Sequence, residues 1–165
     1  MSPDLAAGVL ALLVRREATI AVAESLTAGL IGAALTVPSG ASAAFRGGVI
    51  VYATDLKARM LGVPKDLLDR EGAVHPDVAA AMAAGVRRVT GSTYGLAVTG
   101  VAGPDEQDGK AVGTVHIAVS GPGDAIWHRD VLLPGSREEI RKSTVTEGLD
   151  LLRGVLEAYV GEHSG

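Results

Sequence analysis

Three short apolar runs constrain this chain more than any other feature. Residues 19–23 (Thr-Ile-Ala-Val-Ala), 48–52 (Gly-Val-Ile-Val-Tyr) and 94–99 (Tyr-Gly-Leu-Ala-Val-Thr) are β-branched or small and lack polar alternation. Such runs read as strands buried on both faces. Between them lie segments with apolar residues at helical spacing. Strand–helix alternation of this kind implies a parallel sheet with helices covering both faces.

Helices are predicted over 3–16, 26–35, 54–60, 64–70 and 77–89. Ser2 and Pro3 are read as the cap and first residue of the first helix, and Ser25 as the cap of the second. Residues 112–119 and 125–133 read as two further strands, joined by the tight turn Gly121-Pro122-Gly123-Asp124 into a hairpin. Ser136 followed three residues later by Glu139 is a capping box. It opens a last helix with Ile140, Leu149, Leu152 and Leu156 on one face. The expected fold is α/β: a three-layer α/β/α sandwich with a mostly parallel mixed sheet of about five strands and an antiparallel hairpin, one domain over residues 1–165.

Composition narrows the partners. Only 3% of residues are aromatic and the formal net charge is −4. Lys and Arg are scattered, so neither a base-stacking surface nor a basic stripe for nucleic acid is expected. No cysteine is present, which rules out thiol nucleophiles and Cys-based metal sites. No apolar run reaches the ~18 residues of a membrane span. The amino terminus lacks a basic region followed by an apolar stretch, so the expected location is the cytoplasm. Mean hydropathy is +0.29. The Ala-rich helices offer more small apolar surface than one sheet is expected to cover, which predicts a homodimer or higher homo-oligomer.

In open α/β sheets, ligands bind outside the carboxyl ends of the parallel strands. Three segments fall there: Glu24-Ser25, the stretch from Tyr52 to Lys57, and residues 99–105. Around Glu24, Ser25 and Thr27, free N–H groups and hydroxyls at a helix start suit a phosphate; Ser25 equally suits a plain N-cap. A second helix start, at Ser136, brings Arg137, which can grip a phosphate in bidentate fashion. Gly100, Ala102 and Gly103 let backbone approach a ligand and offer N–H groups for an oxyanion, or simply form a rigid loop.

Ser42, Tyr52 and Lys57 supply a hydroxyl, a phenol and an amine. A desolvated lysine can be neutral and deprotonate a serine. A loop serine, a strand tyrosine and a surface lysine are the ordinary alternative. His75, His116, His128 and His163 are dispersed without metal-ligand spacing and are expected to be structural or exposed.

Several motifs occur in order: residues 23–29 (Ala-Glu-Ser-Leu-Thr-Ala-Gly), Gly40-Ala41-Ser42, Tyr52 to Lys57 with Leu61-Gly62-Val63, Gly72-Ala73-Val74, residues 100–105 (Gly-Val-Ala-Gly-Pro-Asp), and Val112-Gly113-Thr114-Val115. Together they resemble the C-terminal domain of the competence/damage-inducible protein CinA, over about residues 3–160. Stand-alone members of that family are nicotinamide-nucleotide amidases. The resemblance implies a serine amidohydrolase that converts nicotinamide mononucleotide to nicotinate mononucleotide and ammonia, without metal or cofactor. It puts the family's Ser–Lys pair on Ser42 and Lys57 and its tyrosine on Tyr52. The chain departs from the usual family pattern at Leu26, Ala28, Thr54, Asp55, His75 and Glu106-Gln107. A nucleotide-binding module without turnover is the alternative, and the intact trio favours the enzyme.

Overall fold

In a computed structural model that describes residues 3–163, and side chains through 158, the strand β1 (Ile20–Glu24) is buried along its whole length. It has strands on both sides. β2 (Phe45–Ile50) pairs with it in parallel, Glu24 opposite Ile50. β3 (Tyr94–Gly100) pairs in parallel on the other side, Ile20 opposite Tyr94. β4 (Thr114–Gly121) and β5 (Ala125–Leu132) continue the sheet antiparallel, with Leu96 opposite Val119 and Val119 opposite Trp127. The order is β2-β1-β3-β4-β5. The two edge strands alternate between inward and outward residues, whereas β1 and β3 are buried on both faces, as apolar runs without alternation require.

Successive side chains of a strand point to opposite faces, and here the two faces differ in size. Ile20, Val22, Leu96 and Val98 point to one side and join the core under α1 (Pro3–Arg15), α2 (Leu30–Thr36) and α6 (Arg137–His163). Ala21, Ala23 and Ala97 point to the other, under α3 (Thr54–Leu61), α4 (Lys65–Glu71) and α5 (Pro76–Thr90). Small residues let α5 lie close. A Cβ on Gly95 would meet the Ala83 carbonyl at 2.3 Å, and one on Gly85 would meet the Leu61 carbonyl at 2.1 Å. Only glycine permits either approach. The result is the expected three-layer sandwich around an open, mixed five-stranded sheet.

The termini of several elements differ from the sequence reading. Residues 25–29 form turns instead of helix, because Ala28 (φ +46°) and Gly29 (φ +99°) are left-handed, a conformation that breaks a right-handed helix. β2 ends at Ile50, so Tyr52 lies beyond the strand. Gly113 (φ +92°) delays β4 to Thr114. α5 starts at Pro76 and is capped by His75, whose Nδ1 accepts from the Asp77 N–H at 3.1 Å. The capping box at α6 is formed in both directions, with Glu139 N–H donating to Ser136 Oγ at 3.2 Å and Ser136 N–H to Glu139 Oε1 at 3.1 Å. The Ser2 cap and the His163 side chain lie outside the described residues.

The Ala-rich helix α5 is not a spare apolar face. Val78, Ala79, Met82, Ala83 and Val86 are all buried against the sheet. Among the described residues no helix is long and apolar enough to cross a membrane.

Candidate active site

The carboxyl ends of β1, β2 and β3 open onto a cleft of about 260 Å³. Ser25, Tyr52, Thr99, Gly103, Asp105 and Arg137 are among its walls. Each parallel strand contributes the residues that follow it, as the topology demands.

Lys57 sits in α3 behind this wall and is only 1% exposed. Its Nζ contacts three oxygens: Val51 O at 2.7 Å, Ser25 Oγ at 3.0 Å and Tyr52 O at 3.3 Å. Two are carbonyls, which can only accept; the third is a hydroxyl, which can accept or donate. No carboxylate is among these partners. Burial without a counter-charge disfavours the ammonium form, and lowers the lysine pKa from 10.5 to about 8. Ser25, also buried, follows β1 directly and lines the cleft. The arrangement is a hydroxyl at the ligand-facing surface with a readily neutralised amine behind it.

Ser42 does not take part, which corrects the pairing expected from the sequence. It lies exposed in the 3₁₀ turn Ala41–Ala43, ahead of β2. Lys57 follows the opposite end of that strand. Six strand residues at about 3.3 Å each carry the chain roughly 20 Å between them. Tyr52 behaves differently from expectation as well. Its side chain is 61% exposed, and it is the backbone carbonyl that meets Lys57. The phenol oxygen lies 3.4 Å from Arg137 Nη2.

Glu24 is corrected from a substrate contact to a helix cap. Its two carboxylate oxygens accept from Ile31 N–H at 2.9 Å and Gly32 N–H at 3.0 Å. The start of α2 is thereby occupied, so the phosphate site expected around Ser25 and Thr27 is not open there. Thr27 is fully buried and does not line the cleft. Gly100, Ala102 and Gly103 do line it. A Cβ on Gly100 would come within 2.6 Å of the Thr114 carbonyl, so the close passage of this segment beside β4 requires glycine. Arg137 Nη1 donates to the Gly103 carbonyl at 2.6 Å, which joins the start of α6 to the loop after β3. Thr99 and Asp105 belong to the cleft but were not singled out as site residues. Thr99 lies near the end of β3 and Asp105 follows the strand, and that place at the carboxyl end of a buried parallel strand is the signal.

The model of the CinA C-terminal domain matches residues 3–156. The chain belongs to the CinA C-terminal domain family. A CinA-like protein of Frankia casuarinae is 58% identical over 148 residues, covering 90% of this chain and 34% of that protein. A putative competence-damage inducible protein of Bacillus subtilis is 46% identical over 139 residues, covering 84% of this chain and 33% of its own length. The chain thus spans about a third of the length of these curated relatives. Among solved structures, competence/damage inducible protein CihA of Agrobacterium tumefaciens superposes with a TM-score of 0.89 at 34% identity, covering 94% of each chain. A CinA superfamily protein of Klebsiella pneumoniae does so with 0.90 at 27% identity, over 94% of this chain and 98% of that one.

Of the residues at which this CinA C-terminal domain departs from the usual family pattern, some reach the cleft and others, such as His75 at the cap of α5, do not. Leu26 and Thr54 line the cleft, and Ala28 holds a left-handed conformation where the family often has glycine. None of them replaces Ser25, Tyr52 or Lys57.

Proposed function

We propose that this CinA C-terminal domain is a serine amidohydrolase that deamidates nicotinamide mononucleotide, with Ser25 as nucleophile and Lys57 as base. One observation carries the reading: a buried amine without a counter-charge lies 3.0 Å from a serine hydroxyl at the cleft surface. With Lys57 neutral, its two N–H bonds go to the carbonyls of Val51 and Tyr52, and its lone pair is left for the Ser25 O–H. Ser25 Oγ gives its proton to Nζ and attacks the carboxamide carbon. The negative oxygen of the tetrahedral intermediate is met by backbone N–H groups of the cleft wall, with those of Ala102 and Gly103 as candidates, because the Val101 N–H is held by the Thr114 carbonyl. As the C–N bond breaks, the Lys57 ammonium returns the proton to the departing nitrogen and ammonia leaves. Water, deprotonated in turn by Lys57, then splits the acyl-enzyme to the acid and restores Ser25. The sum is amide plus water to acid plus ammonia.

Arg137 is the cation available for the phosphate. An ammonia-release assay with nicotinamide mononucleotide tests the reading, with nicotinamide and nicotinamide riboside as comparisons. The mononucleotide should be the best substrate. Binding without ammonia release would replace the enzyme by a nucleotide-binding module.

A further inference from the structure

We infer that Asp105 selects ligands with a cationic ring, so that the cleft matches a positive ring and a negative phosphate with one charge each. This rests on the amidase reading only for the name of the ligand. Among the residues lining the cleft, Asp105 is the one carboxylate and Arg137 the one cation. Glu24, the nearest acid along β1, is spent on the start of α2. The Asp105 carboxylate has no hydrogen-bond or ion-pair partner among the described residues.

The loop that carries Asp105 is tied down on both sides. Before it, the Gly103 carbonyl accepts from Arg137. After it, Asp108 Oδ2 accepts from the Ala73 N–H at 3.4 Å. Gly72 (φ +76°) makes room for this contact: a Cβ there would stand 2.7 Å from Asp108 Oδ2. Thr99 Oγ1 donates to the Ala73 carbonyl at 2.8 Å, fastening the same segment to the end of β3. Asp105 is thus held at the cleft with its charge uncompensated. Asp105 is exposed at the rim of the cleft, so its charge acts on a ring that comes within a few ångströms and is weakened by added salt. A pyridinium ring is attracted. A product bearing a new carboxylate is repelled, which favours release.

The test compares ligands that differ in ring charge: nicotinamide mononucleotide and its reduced, dihydropyridine form. Dissociation constants are measured by calorimetry on Ser25→Ala protein, which leaves the ligands intact, with and without Asp105→Asn. The cationic ligand should bind about tenfold more weakly after Asp105→Asn, and the neutral one should change less than about twofold. Asp105→Glu should keep most of the discrimination. Equal weakening of both ligands, no change in either, or no binding of the cationic ligand to Ser25→Ala protein would overturn the inference. Ammonia release by the unmodified protein is followed in parallel. Charge-selective binding without ammonia release would sink the amidase reading and leave this one standing.

Discussion

Lys57 Nζ and Ser25 Oγ lie 3.0 Å apart although 32 positions separate them in the chain. The contact joins the residue after β1 to the helix after β2. It exists because those two strands are parallel neighbours, with Glu24 opposite Ile50. Ser25→Ala should therefore lower kcat for ammonia release by several orders of magnitude with an unchanged circular dichroism spectrum. Ser42→Ala should leave kcat within about twofold. The reverse pattern would return the nucleophile to the exposed turn.

Activity should rise with pH. The base works only when neutral, and burial brings the Lys57 pKa to about 8, so kcat/KM should climb through that region and level off above it. Lys57→Arg keeps the charge but cannot accept a proton at any such pH, and should be nearly inactive. A profile flat from pH 6 to 10 would remove Lys57 as the base.

The same lysine costs stability. Its pKa is lower folded than unfolded, so between about 8 and 10.5 the unfolded chain holds the extra proton. Stability from this group rises with pH across that window and is at its lowest below it. A shift of that size corresponds to about 3 kcal/mol. Lys57→Met should accordingly match or exceed the parent in denaturant unfolding at pH 7, after the loss of the carbonyl contacts. Its relative advantage should shrink as pH approaches 10. An advantage that grows with pH would contradict the assignment.

Glu24→Ala leaves one buried and one part-buried N–H group at the start of α2 without acceptors. It should cost about 1–3 kcal/mol of stability, while KM of the surviving protein stays near that of the parent. A raised KM without loss of stability would restore Glu24 as a substrate contact.

Arg137→Ala should raise KM for the mononucleotide more than for the riboside, because only the former carries a phosphate. Some rise for both is expected, since Arg137 also holds the Gly103 carbonyl. Identical rises would reduce Arg137 to a prop for the loop.

The layers of the fold were legible because β1 and β3 are continuously apolar and the helices between them are periodic. The cleft was legible through the rule on strand ends, which put Ser25, Lys57 and residues 99–105 on one side of the sheet. The Ser42 pairing went wrong because fifteen positions of sequence look short, while an intervening extended strand keeps their ends apart. Glu24 could not be read as a cap. Its carboxylate reaches N–H groups seven and eight residues on, a distance set by the left-handed turn at Ala28 and Gly29. Nor does local sequence reveal that Lys57 is buried: α3 has exposed residues on either side of it, and the burial comes from the strands it faces.

The first helix of this domain packs mainly on the last. α1 lays Leu5, Val9 and Leu13 into the core that α6 completes, and β1 waits for β3, with Thr19 bonded to Thr93 across 74 positions. Within this domain, then, α1 is made well before the helix it packs on most. Until α6 has been made, the part of the apolar side of α1 that faces it has nothing in this domain to cover it.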